Sequence, residues 1–165
     1  MTSSDRPRGV FFDLGGTLFS YRNVPRTTMP LLLEVAERVG VETDVQQIRE
    51  QYGQATSEVT ERYAERDYYL HQDFFDDVLV RYCALLGSQC DQALRDWYLA
   101  AHREAIVHCL DLKDDCRSTL VKLREAQLYL SVVSNIDNDM LHPLIERENL
   151  GEFFDHWPSS ESAGS

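Results

Sequence analysis

The stretch Gly9-Val-Phe-Phe-Asp-Leu-Gly-Gly-Thr-Leu18 decides the fold. From Gly9 to Leu14 the apolar run is continuous rather than alternating, the pattern of a strand buried on both faces of a parallel sheet. Gly15, Gly16 and Thr17 then form a tight turn with permissive backbone. Asp13 therefore stands at the carboxyl end of the strand, the edge where open α/β sheets bind ligands. A carboxylate at that place can attack an electrophile or hold Mg²⁺ through a hard oxygen. The N–H groups of the turn behind it can cradle phosphoryl oxygens. D-x-G-G alone is also ordinary turn chemistry; the strand before it favours the chemical reading.

Working outward, residues from about Thr27 to Cys109 carry helical periodicity. Pro30 fits a first helical position, with Leu31, Leu32, Val35 and Val39 behind it and Gly40 as the stop. Asp44 and Gln47 fit a capping box, and Val45, Ile48, Tyr52, Ala55, Val59 and Tyr63 form one apolar face. A third helix carries Phe74, Phe75, Val78, Leu79, Tyr82 and Leu86; Asp91 caps a fourth. Beyond Leu112 the pattern changes. Leu120 and Leu123 mark a helix, and Leu128–Val133 (LYLSVV) is a second buried strand ending at Ser134-Asn135. Leu141, Leu144 and Ile145 mark another helix, in which Pro143 is tolerable only near the first turn. Phe153-Phe154 is expected to open a third short strand, and the polar tail from Ser159 to be mobile.

Composition narrows the function. The chain has 165 residues, enough for one compact core with a small inserted subdomain. Its 16 Lys+Arg against 28 Asp+Glu give a net charge of −12, which disfavours nucleic acid and anionic membrane surfaces as partners. Small anionic substrates remain compatible, because a site supplies its own donors. Cys83, Cys90, Cys109 and Cys116 have no zinc-type spacing and read as reduced thiols. The N-terminal MTSSDRPRG lacks the apolar core of a signal peptide, and no run is long enough to span a membrane, so a cytoplasmic location is expected.

FFDLGGTL resembles the first motif of the haloacid dehalogenase superfamily, D-x-D-G-T-[LV] after an apolar strand, and SVVSN resembles its second, an apolar strand ending in Ser or Thr. The resemblance implies an α/β fold: a Rossmann-like parallel sheet core of about three strands, incomplete for the family, with an all-helical cap inserted after strand 1. The implied boundaries are 8–24 and 110–165 for the core and 25–109 for the cap. It implies that Asp13 is the nucleophile forming an aspartyl intermediate, that Asp13 and the carbonyl of Gly15 bind Mg²⁺, and that Ser134 and the N–H of Asn135 bind phosphate. The implied substrate is a small phosphorylated metabolite.

Two departures qualify that expectation. Gly15 stands where most phosphatases of the family carry a second Asp, the general acid. The third and fourth motifs, a Lys and one or two acids, are absent; Lys113 and Lys122, the only lysines, precede the second strand. The chain is accordingly expected to be a fragment or a truncated product, weak or inactive as it stands. The alternatives are a carbon–halogen or carbon–phosphorus hydrolase of the same superfamily, or a non-catalytic binding or regulatory domain.

The remaining polar residues have plainer readings. One of Asp137 and Asp139 is expected to cap a helix rather than bind metal. His71, His102, His108, His142 and His156 are scattered. Tyr63, Tyr68, Tyr69, Phe74 and Phe75 either pack the helical block or line a substrate pocket, with packing preferred. Arg22 is a lesser candidate for meeting an anionic substrate.

Overall fold

A computed structural model of the chain describes residues 7–163, so most of the N-terminal stretch and the last two residues lie outside the described residues. The chain divides into two compact units. One comprises the residues up to Tyr21 together with those from Leu110 onward; the other is Arg22–Cys109.

The first unit is built on β1 (Gly9–Phe12), which pairs in parallel with β4 (Tyr129–Val132), Gly9 opposite Tyr129 and Phe12 opposite Val132. The Val133 N–H extends the ladder to the Phe12 carbonyl at 2.8 Å. Both strands are shorter than their apolar runs. Leu14 is fully buried, but its carbonyl accepts the N–H groups of Leu18 and Phe19 (2.9 and 3.0 Å), which is turn rather than ladder bonding. Nor is β1 buried on both faces. Side chains alternate along a strand, and Phe12 packs edge-on against Phe154 (centroids 5.9 Å apart) while Phe11 is 69% exposed. A continuous apolar run thus concealed two different environments.

The strand expected at Phe153-Phe154 does not form there. A 3₁₀ turn at Leu150–Glu152 leads into buried Phe154, and parallel pairing beside β4 follows only as isolated bridges, Ser131 with His156 and Ser134 with Ser159. The Asp155 carboxylate accepts the Leu130 N–H (2.9 Å) and pairs with Arg124, and Pro158 brings no donor, so the ladder is interrupted. A short antiparallel pair, β2 (Phe19–Ser20) with β3 (Asp111–Leu112), also forms within this unit; no sequence pattern announces it.

Helices α5 (Cys116–Glu125) and α6 (Asn138–Arg147) complete this unit; Leu141, Leu144 and Ile145 of α6 are buried as their spacing predicts. Pro143 lies in the second turn of α6, exposed, not in the first. Asp137 is the N-cap residue, but it is the Glu161 carboxylate that accepts the Asn138 N–H (2.8 Å). The tail is docked rather than mobile. Ser159 is buried, its hydroxyl bonds Asn138 Oδ1 and caps Ser162 N–H in the last helix, α7 (Ser160–Ala163).

The second unit is wholly helical: α1 (Val24–Arg38), α2 (Val45–Tyr63), α3 (His71–Leu85) and α4 (Gln92–Cys109). Pro25, not Pro30, occupies the first turn of α1; Pro30 lies inside the helix. Asp44 accepts the Gln47 N–H (2.9 Å) and Asp91 the Leu94 N–H (2.8 Å), so both expected caps are made. Val35, Ile48, Ala55, Val59, Val78, Leu79, Tyr82 and Tyr98 are fully buried between the helices. Tyr63, Tyr69 and Phe74 pack edge-to-face, with Tyr63 4.8 Å from Tyr69 and 5.4 Å from Phe74, so this part of the aromatic set builds the helical core. All four cysteines are free thiols; burial pushes Cys83 up to about 12. Among the described residues no helix is long and apolar enough to cross a membrane.

His102 is the buried histidine of this core, against Phe75 (4.4 Å) and Tyr98 (5.4 Å). Burial lowers its pKa from 6.5 to about 4. Between those two values the unfolded chain binds a proton that the folded chain refuses, so stability falls as pH drops from 6.5 towards 4, by on the order of 3 kcal/mol. Thermal melts across that range are expected to show this loss in the wild type and a smaller slope in His102→Phe; equal slopes would contradict a neutral buried imidazole.

Candidate functional site

Parallel pairing places the carboxyl ends of β1 and β4 side by side. Asp13 follows β1 directly, and Ser134 lies two residues past the end of β4. The Ser134 hydroxyl donates to Asp13 Oδ1 at 2.9 Å, although 121 residues separate them in the chain. Both side chains are accessible, Asp13 the more so. Asn135, next along, is exposed on the same loop.

The turn behind Asp13 is tightly specified. Gly16 has φ +75°, a left-handed conformation that side-chain-bearing residues rarely take, and its N–H donates to Phe19 O at 2.8 Å. The Lys113 ammonium donates to the Gly16 carbonyl, and the Lys113 N–H to Leu18 O at 2.9 Å. Lys113 matches no motif position in the sequence; the β2–β3 pair carries it to the loop of the first motif all the same.

Tyr21 is a further residue the sequence did not single out. Its phenol lies over Gly15, and its pKa is raised, first by burial and then by the Asp13 carboxylate. Spacing offers no signal for it; only the path of β2 brings the ring back over the turn. Arg22 belongs to the helical unit.

For a divalent cation, this unit offers the Asp13 carboxylate, one of whose oxygens accepts the hydrogen bond of the Ser134 hydroxyl, and the carbonyl of Gly15. Among the described residues no cluster of three or more His, Cys, Asp or Glu side chains is arranged to hold a metal ion. Such a sparse set suits Mg²⁺, which keeps several waters and takes one or two carboxylates together with substrate oxygens. It does not suit an all-protein cage.

Among solved structures, the chain is similar to YfnB from Bacillus subtilis, determined with magnesium bound (20% identity, TM-score 0.68, 97% of this chain and 68% of that one). It is similar also to an L-2-haloacid dehalogenase from Xanthobacter autotrophicus (23%, 0.62, 96% and 58%) and to a HAD phosphatase from Thermococcus onnurineus (19%, 0.61, 96% and 64%). These likenesses establish the fold, and the chain spans 58 to 68% of the length of the three. No curated protein matches it. Residues 7–164 match the haloacid dehalogenase-like hydrolase family, and with that match over nearly its whole length the chain belongs to this family.

Proposed function

We propose that the chain carries the nucleophile half-site of a hydrolase that acts through a covalent aspartyl intermediate at Asp13, on a small phosphorylated metabolite and with Mg²⁺. The observation that supports this most directly is the Ser134–Asp13 hydrogen bond at 2.9 Å, which joins two residues drawn from separate strand ends at one accessible point. A hydroxyl donating to one carboxylate oxygen fixes the rotamer of the side chain and leaves the second oxygen to approach an electrophile. In this reading Asp13 attacks phosphorus, the bond to the leaving oxygen breaks, and water then cleaves the acyl phosphate to regenerate the carboxylate. With substrate bound, the Ser134 hydroxyl turns from Asp13 to a non-bridging oxygen beside the Asn135 N–H, and Lys113 sets a positive potential around them. Asp13 and the Gly15 carbonyl would hold Mg²⁺, which supplies charge neutralisation to the phosphoryl group when bound.

One observation favours a second reading, carbon–halogen cleavage. Position 15 bears no acid, and a halide leaves without needing a proton. Release of halide from a 2-haloacid without added metal would select this reading over the first.

Beryllium fluoride mimics a phosphoryl group on a carboxylate, and fluorine NMR detects its capture. With Mg²⁺ present, the wild type is expected to give a bound fluorine signal and Asp13→Ala none. A folded wild type without a signal would refute the phosphoryl reading. Ser134→Ala is expected to weaken the capture roughly 5- to 10-fold, the value of one hydrogen bond to a charged group at an accessible site, and Ser134→Thr to retain it. Equal affinity in Ser134→Ala would remove Ser134 from the site.

A further inference from the structure

We propose that Tyr21 is a specificity-determining residue of this site: its phenol occupies the side-chain position of residue 15 and presents a neutral hydrogen-bond donor to the group bound at Asp13. The proposal rests on the reading of Asp13 as the nucleophile.

The geometry comes from glycine itself. A Cβ built on Gly15 would fall inside the contact radius of the Tyr21 hydroxyl oxygen, with ring carbon Cε2 only 3.2 Å away. Gly15, unlike Gly16, has no positive φ, so its φ does not by itself call for glycine. The nearest atoms that a side chain there would meet all belong to the Tyr21 phenol, which would have to swing away to admit it. The residue two positions after the candidate nucleophile is therefore not simply missing a side chain; a side chain from position 21 has taken its room.

Three further observations point the hydroxyl towards a ligand. Tyr21 is 56% exposed, so its phenol is not sealed into the core. Among the described residues its hydroxyl has no hydrogen-bond partner, leaving a donor available. After burial, the Asp13 carboxylate is the second cause that raises the pKa of the phenol. A phenol in this place donates a hydrogen bond but brings no charge. A carboxylic acid cannot share the space. The site is thereby suited to substrates whose leaving side accepts a hydrogen bond and departs as a stable anion, rather than to alkyl esters that need a proton from an acid.

Two measurements test this. The first needs no ligand: thermal melts of Gly15→Ala, Tyr21→Ala and the double variant. Gly15→Ala is expected to lower the melting temperature by roughly 3–10 °C when Tyr21 is present, and far less in the Tyr21→Ala background. Equal effects in both backgrounds would overturn the placement. The second is beryllium fluoride capture with Mg²⁺ by Tyr21→Phe, which keeps the ring and loses only the hydroxyl. A fluorine signal that is shifted, or an affinity at least about 5-fold weaker than wild type, is expected; a spectrum and affinity identical to wild type would overturn the substrate-facing role. Absence of signal in the folded wild type would refute the phosphoryl reading of Asp13 and this role with it. The coupling between positions 15 and 21 would still be measured independently, so the two failures are told apart.

Discussion

The register of one parallel strand pair governs the candidate site. Phe12 lies opposite Val132, so Asp13 and Ser134 emerge together at the same end of the sheet. Parallel strands run in the same direction, and so a motif at the end of each is brought to one edge whatever the length of chain between them. Here that intervening chain includes a complete helical unit. A slip of one residue would turn every side chain of β4 to the opposite face and separate the Ser134 hydroxyl from Asp13. Burial holds the register: Leu130, Ser131 and Val132 are enclosed, whereas the exposed Tyr129 and Val133 bracket them.

What could be read from the sequence was whatever a local pattern specifies. The two strands, the helical block between them, the caps at Asp44 and Asp91 and the Asp13 and Ser134 strand ends are all encoded within a few residues of themselves. What could not be read depends on partners distant in the chain. The exposure of Phe11 is set by which face the rest of the unit covers, not by the apolar run it belongs to. Lys113 matches no motif position by spacing, and its approach to Gly16 depends on the two-residue pairing of β2 with β3. The tail from Ser159 has the composition of a mobile end, yet Ser159 and Glu161 meet Asn138, a polar residue that opens a helix and needs partners. Small polar residues predict mobility only when no such partner waits for them.

The overall charge of −12 and the proposed affinity for an anionic group are compatible because they act over different distances. Across more than a Debye length, about 8–10 Å at physiological salt, the acidic surface is largely screened. At contact distance the loop after Asp13 carries the Lys113 ammonium, fixed by its bond to the Gly16 carbonyl. Acidity of the whole therefore argues against extended polyanions, whose phosphates would span the surface, and leaves a compact anion at one strand end unaffected.

Gly15 illustrates how a sequence can present an exchange as a loss. Beside the family motif, glycine at that position reads as a deleted acid, which by itself would suggest a decayed site. In the structure the same position is filled, by a ring whose own residue lies six places further on. Deletion and replacement make opposite demands on neighbouring residues. A decayed site would leave position 15 free to vary, because its φ does not call for glycine. A filled one ties positions 15 and 21 together, since any side chain at 15 must displace the phenol. The close packing of Tyr21 on Gly15 follows the second pattern, and it turns the most discouraging residue of the motif into the one that best describes what this site would accept.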